Sequence, residues 1–285
     1  MTRQILFIAT LALVAPAATA QAFARPSGST EQQITLYELV LRDGSRLYGT
    51  IERQDQDEVV FKTQAGATVT AKRSDIDVLK EVTGSLARGE FMPPDPNATR
   101  LFFAPTGRSL ARGQAYLGVY EFLMPFVQIG VTDRFSIGGG TPLLFGFDDG
   151  DRPFWITPKV QIVKSSSTDV AVGVFQVFNA AGDGGGVAYA VSTSGTARGS
   201  FTIGGGMAYG NSGGRSGMVM VGGERQVRRN LKLMSENYLW KDGNGVASAG
   251  VRFFGERLSA DLALGFPIGS DEFFAFPIVN FVYVF

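Results

Sequence analysis

The chain has 285 residues, 26 of them basic and 26 acidic, with no histidine and no cysteine. Zero net charge supplies no basic field, so no nucleic-acid partner is expected. The missing residues exclude disulfides, thiolate chemistry, Ser–His and Cys–His pairs and the commonest metal ligand. With 37 glycines and 23 phenylalanines among few charged residues, the composition favours an all-β protein.

Residues 1–20 read as a secretory signal peptide. Arg3 gives the positive end, residues 5–14 are apolar, and Ala18-Thr19-Ala20 offers small residues before a cut, with Ala20-Gln21-Ala22 as another register. Pro16 and the shortness of the apolar run argue against an anchoring helix. No later segment approaches the ~18 uninterrupted apolar residues of a spanning helix. The mature chain is therefore expected outside the cytoplasm. Residues 23–33 are small and polar, a linker.

From residue 34 to 82, short alternating runs are separated by tight turns. Leu36, Leu39 and Leu41 lead to Asp43-Gly44-Ser45, then Leu47, Tyr48 and Ile51. Val59, Val60 and Phe61 follow, then Ala65-Gly66, Val69, and finally Ile76, Val78 and Leu79. Asp-Gly between two alternating runs marks a hairpin. Five short strands in about fifty residues, with a second strand ending Gly49-Thr50-Ile51, resemble the small SH3-like or Sm-like barrels of exported bacterial proteins. Residues 83–113, with Pro93, Pro94 and Pro96, read as a linker. Within it Leu101-Phe102-Phe103 is expected to pack against something or begin a strand. Asn97-Ala98-Thr99 matches a glycosylation acceptor but has little weight in a chain of bacterial type.

Residues 114–285 repeat one unit, about ten residues of strand and then a turn. The strands are placed at 114–122, 125–132, 135–145, 153–163, 169–179, 185–194, 199–209, 217–227, 230–240, 245–254, 257–267 and 273–285. That gives twelve, or ten if the first ones merge. The length suits a tilted strand crossing a bilayer. Parity separates two faces. Ile156, Pro158, Val160 and Ile162 oppose Thr157, Lys159 and Gln161. Val219 and Val221 oppose Met218, Met220 and Glu224. Ala247, Ala249, Val251 and Phe253 oppose Ser248, Gly250 and Arg252. Leu258, Ala260, Leu262, Leu264 and Phe266 oppose Ser259, Asp261, Ala263 and Gly265. A Lys or Arg on the lipid side would cost ~2–4 kcal/mol at the midplane, so this sorting favours a membrane barrel over a soluble sandwich. Arg225 has outward parity near a strand end, and Ser235 and Asn237 share the face of Leu231, Leu233 and Leu239.

One rim carries the turns at 133–134, 164–168, 195–198, 228–230 and 255–256, and both barrel termini. The other carries the more acidic turns at 148–151, 183–184, 211–215, 241–243 and 270–272. The loops are short, so no plug or lid is expected. The cluster Asp148, Asp149 and Asp151 has carboxylates for a hard cation but reads more simply as a solvated loop, and no metal site is assigned. The inward parity gathers Lys159, Glu224, Lys232, Glu236, Arg252 and Asp261, expected to pair as a lumen polar network. Ser136, Ser192, Ser200 and Thr202 are assigned to the same interior, with glycines leaving room for a narrow passage. The runs at 138–140 and 204–206 open no helix, so they are not phosphate loops. No cofactor and no catalytic residue is assigned.

Val279, Phe281, Tyr283 and the terminal Phe285 alternate along the last strand. This ending resembles that of bacterial outer-membrane β-barrels, and the resemblance implies that these residues form the signal read by the barrel-insertion machinery. Gly-Val-Thr-Asp-Arg-Phe-Ser-Ile-Gly-Gly-Gly at 130–140 is similar to a stretch in uncharacterised exported barrel proteins. Outer-membrane enzymes of this architecture use Ser–His or Asp–His sites, which this chain lacks. The fold class is thus all-β, a small SH3-like barrel followed by an antiparallel up-and-down transmembrane β-barrel of about twelve strands. The expected protein is non-enzymatic, a small pore or structural scaffold in the cell outer membrane. Its partners are outer-membrane lipid and, for residues 34–82 in the periplasm, another protein. The alternatives are a soluble periplasmic lipocalin-like binding protein and, behind it, a histidine-free hydrolase.

Overall fold

The computed structural model describes residues 36–63, 65–82, 84–87, 90–143, 152–180, 183–196, 198–210, 214–270 and 274–285. The signal segment 1–20, residues 34–35 and the acidic cluster 148–151 lie outside the described residues.

Five strands come first: β1 (Leu36–Leu41), β2 (Arg46–Gln54), β3 (Glu58–Thr63), β4 (Thr68–Lys72) and, after a 3-10 turn at Arg73–Asp75, β5 (Ile76–Val82). The expected hairpin forms at 41–45. Ser45 N–H donates to Asp43 Oδ1 at 2.8 Å, and Gly44 takes φ +88°, a left-handed value that favours glycine. All pairings are antiparallel in the order β4-β3-β2-β1-β5. Leu39, Phe61 and Ala71 form the small core. No pairing joins β4 to β5 among the described residues, so this is an open sheet and not the closed small barrel expected.

A short hairpin, β6 (Ser85–Ala87) with β7 (Glu90–Met92), follows. The barrel is built from β8 (Ala115–Tyr120), β9 (Met124–Gly130), β10 (Phe135–Gly140), β11 (Phe154–Ile156), β12 (Lys159–Lys164), β13 (Thr168–Ala180), β14 (Asp183–Thr196), β15 (Gly199–Gly210), β16 (Arg215–Arg228), β17 (Leu231–Trp240), β18 (Gly245–Phe254), β19 (Leu258–Ile268) and β20 (Phe276–Val284). Each pairs antiparallel with its neighbours, and β20 closes on β8 through Asn280↔Tyr120 to Val284↔Tyr116. β11 and β12 both lie between β10 and β13, so they are two halves of one stave. The break falls at Thr157-Pro158, where proline has no N–H for the ladder. The cylinder therefore has twelve staves. β8 stops at Tyr120 because Glu121 and Phe122 turn left-handed, with φ 49° and 60°.

Burial follows the expected parity. Phe201, Ile203, Leu233, Phe253, Leu262 and Leu264 are each about half exposed on the outside, while Lys232, Arg252 and Asn280 are fully buried inside. The outward polar residues are satisfied locally: Asn237 Nδ2 donates to Val221 O at 3.1 Å and Ser235 Oγ to Ser248 O at 2.9 Å. Ser192 corrects the reading. It pairs with Val170 and Ile203, whose side chains face out, so it belongs to the exterior. Ser136, Ser200 and Thr202 do face inward, Ser136 and Thr202 fully buried and Ser200 bonded to Glu224.

The open sheet touches the barrel at the rim carrying the barrel termini. Arg229 lies over the Tyr48 ring at 4.8 Å and donates to its hydroxyl, Tyr48 stacks on Phe91 at 4.5 Å, and Lys80 pairs with Glu256 at 3.6 Å. Glu38 anchors the sheet side of this contact. Burial alone would push its carboxyl up, but the Tyr48 hydroxyl at 2.7 Å and the Lys80 and Arg46 cations, both at 3.1 Å, hold it below its ordinary value. A depressed carboxyl contributes fully above the unfolded value near 4.5 and loses that contribution as pH falls through the lower folded one. Hydrogen exchange of the β1 and β2 amides, corrected for intrinsic rates, should therefore lose protection as pH drops below that value. Glu38→Gln should start less protected and show a flatter profile; the same acid loss in both would remove Glu38 as the cause.

Candidate functional site

Residues 93–112, expected as a linker, run up inside the cylinder, and the expectation that nothing plugs the barrel is overturned. The segment doubles back on itself: Thr106 N–H donates to Thr99 O at 3.0 Å, Leu101 N–H to Ala104 O at 2.8 Å, and Arg100 bridges to Pro105. The resulting hairpin has its apolar tip, Leu101 and Phe102, fully buried among Ala171, Val191, Met220, Met234, Ala263 and Ile278 of the wall. Small wall residues admit it. A Cβ at Gly222 would collide with Leu101, and one at Gly107 in the plug would collide with the Asp169 carbonyl.

The six inward residues read from the sequence all lie in this lumen and are buried. Arg252 sits at the centre. Its Nε and Nη2 donate to Asp261 at 2.6 and 3.0 Å, its Nη1 to Asp95 Oδ2 at 3.1 Å and Asn97 O at 2.8 Å, and its Nη2 also to Leu101 O at 2.7 Å. Lys232 bridges Glu224 at 2.9 Å and Asp95 at 3.1 Å. Arg108 of the plug reaches Glu224 at 2.9 Å and Asp169 at 3.6 Å. Glu236 holds backbone instead of a cation, accepting from Phe103 N–H at 3.0 Å, Ala104 N–H at 3.1 Å and the Tyr238 hydroxyl at 2.7 Å. Lys159 donates to the Thr99, Thr106 and Arg108 carbonyls at 3.1, 3.3 and 2.6 Å.

Pairing across neighbouring strands was the expected use of these charges, and it covers Lys232–Glu224 and Arg252–Asp261. The other half of the network is made with the plug. Asp95, Asn97, Arg100 and Arg108 were missed as site residues because prolines dominate the local pattern. Their signal was present: three charges flanking a Leu-Phe-Phe run do not suit a solvated linker.

Between the plug tip and the opposite rim lies a chamber of about 410 Å³. Its walls are Met124, Phe126, Trp155, Phe175, Tyr189 and Met218, with Arg100, Phe103 and Pro105 of the plug on its near side. Cross-strand aromatics cover glycines here: Trp155 lies over Gly140 and Tyr189 over Gly173, each in direct register. Tyr120 and Phe126 stack at 4.0 Å, and the Arg100 guanidinium lies 5.1 Å from the Tyr120 ring. Asp95, Asp169, Glu224, Glu236 and Asp261, the lumen carboxylates among the described residues, are all engaged by donors.

Val279, Phe281, Tyr283 and Phe285 share the outward face of β20, opposite the buried Ile278, Asn280 and Val282.

No family model matches the chain, and no curated protein does. Among solved structures it is similar to the KdgM porin in complex with disordered oligogalacturonate, at 7% identity over 60% of this chain and 98% of that one, with TM-score 0.47. It is also similar to the NanC porin, at 7% identity over 60% and 97%, TM-score 0.43. OmpT, an outer membrane protein of Vibrio cholerae, aligns at 13% identity over 88% and 97%, TM-score 0.32. Likeness at this level says nothing about what this chain binds.

Removing Arg252 leaves Asp95 to Lys232 and Asp261 to Arg100, and breaking a buried pair costs about 3–5 kcal/mol. Arg252→Ala should lower the urea midpoint accordingly, measured by heat-modifiable gel migration. Arg252→Lys should recover little of it, because one ammonium cannot span this fan of acceptors. A change below about 1 kcal/mol would show that the network does not hold the plug.

Proposed function

We propose that this chain is a non-enzymatic outer-membrane β-barrel that is sealed, a scaffold with a binding chamber and not a constitutively open pore. The observation that carries this reading is the plug: residues 93–112 spend their backbone donors and acceptors and three charged side chains on the barrel wall. Membrane residence is supported by the belt of half-exposed Leu, Val, Ile and Phe around a closed cylinder, whose only bare alternative is water. In this reading Val279, Phe281, Tyr283 and Phe285 form the terminal signal for the barrel-insertion machinery, and the outward face of β20 is lipid-facing. The open sheet of residues 36–82 is a periplasmic module that meets a partner protein, resting on the terminal rim through the Arg229–Tyr48 and Lys80–Glu256 contacts. The second reading, a soluble lipocalin-like binding protein, shares the chamber but leaves the apolar belt unexplained.

In planar bilayers the wild-type protein should carry no steady current. A variant with residues 95–108 replaced by an equal length of Gly and Ser should conduct, its folding checked by heat-modifiable migration. A steady wild-type current would remove the sealed-barrel reading, and recovery from the soluble periplasm without detergent would remove the membrane one.

A further inference from the structure

We infer that the 410 Å³ chamber beyond the plug tip is a binding site for a small, uncharged, largely apolar molecule bearing one hydrogen-bond acceptor. The size lies within the range of sites that enclose a drug-sized ligand, about 300–1,000 Å³. Its walls are thioether and aromatic, surfaces that take apolar groups of varied shape. The space is kept by the wall itself. Gly204 and Gly206 face inward at mid-height, where a Cβ would press on Val191 and Val187.

The charge pattern sets the class of ligand. Arg100, Arg108, Lys159, Lys232 and Arg252 are balanced in number by Asp95, Asp169, Glu224, Glu236 and Asp261, so this set carries no net charge. The two cations that border the chamber are already occupied. Lys159 donates to three carbonyls. Arg100 donates to the Phe102 carbonyl and to Asn97, and pairs with Asp261 at 3.5 Å. An anionic head group would have to break these bonds, and a cationic one would meet like charge. The Tyr120 hydroxyl is different. Tyr120 lines the chamber and is partly buried, and no hydrogen bond ties its hydroxyl to another described residue. That hydroxyl can donate to a ligand acceptor.

This rests on the sealed-barrel reading only in that the plug forms the chamber floor. A bilayer that leaks while the chamber still binds would overturn that reading and leave this one standing. The test uses full-length protein in lipid nanodiscs carrying Trp240→Phe, which leaves Trp155 in the chamber wall as the sole indole. The probes are 11-bromoundecan-1-ol and 11-bromoundecanoate, whose bromine quenches an indole it touches. The alcohol should quench Trp155 with saturation. Val187→Phe with Met218→Phe fills the chamber without touching the plug and should abolish saturable quenching. Tyr120→Phe should weaken the alcohol about three- to tenfold, the effect of one lost hydrogen bond. Folding of every variant is read by heat-modifiable migration, and Val187→Phe alone serves if the double variant loses it. Quenching that rises without limit and is unchanged in the filled variant would mean partition from the bilayer and overturn the site. Carboxylate binding as tight as the alcohol's would overturn the uncharged class.

Discussion

Arg252 is the residue on which the interior depends. A guanidinium with no exposed surface is tolerable only when its donors are met. The barrel wall supplies one carboxylate, Asp261; Asp95 and the carbonyls of Asn97 and Leu101 come from the plug. Neither half is complete alone. Without residues 95–101 the lumen would hold a cation short of acceptors, and without Arg252 Asp95 and Asp261 would be left to Lys232 and Arg100. Lys159 and Glu236 repeat the arrangement with backbone groups, one holding three carbonyls and the other two amides. Polar satisfaction is thus what turns a stretch without regular secondary structure into a fixed part of the fold.

The same segment fills one end of the cylinder. Its polar base is tied down near the terminal rim, while its tip is apolar and packs on Ala171, Met220 and Ile278. Beyond the tip the wall changes character, from Lys, Glu and Arg to Trp, Tyr, Met and glycine. One end of the cylinder is therefore filled by the chain itself, and beyond the plug tip lies the mainly apolar chamber.

Much of this was legible in the sequence. Clean alternation at 245–254 and 257–267 settled which side of Leu258, Leu262 and Val251 faces outward, because a period of two admits no other sorting. It also put Lys159, Glu224, Lys232, Glu236, Arg252 and Asp261 inside, but not Asp169, which shares the lumen. Ser192 failed because a small polar residue carries little information about side; its register with Ile203 decides. The stave at 153–163 was read as continuous, although Pro158 marked the break. The plug was hidden for a different reason. Its main partners lie 51 to 178 residues away in the chain, and no local period records a contact of that kind. What the sequence did carry was a mismatch, a Leu-Phe-Phe run amid prolines and charges that neither a strand nor a solvated linker accounts for.

The central claim is that residues 93–112 occupy the lumen, and the absence of cysteine makes a direct measurement simple. Leu101→Cys places the chain's sole thiol at a fully buried position of the plug tip. In the folded protein this thiol should resist a water-soluble polyethylene-glycol maleimide and react only after denaturation. Labelling of the folded barrel at the rate of the denatured chain would contradict the account.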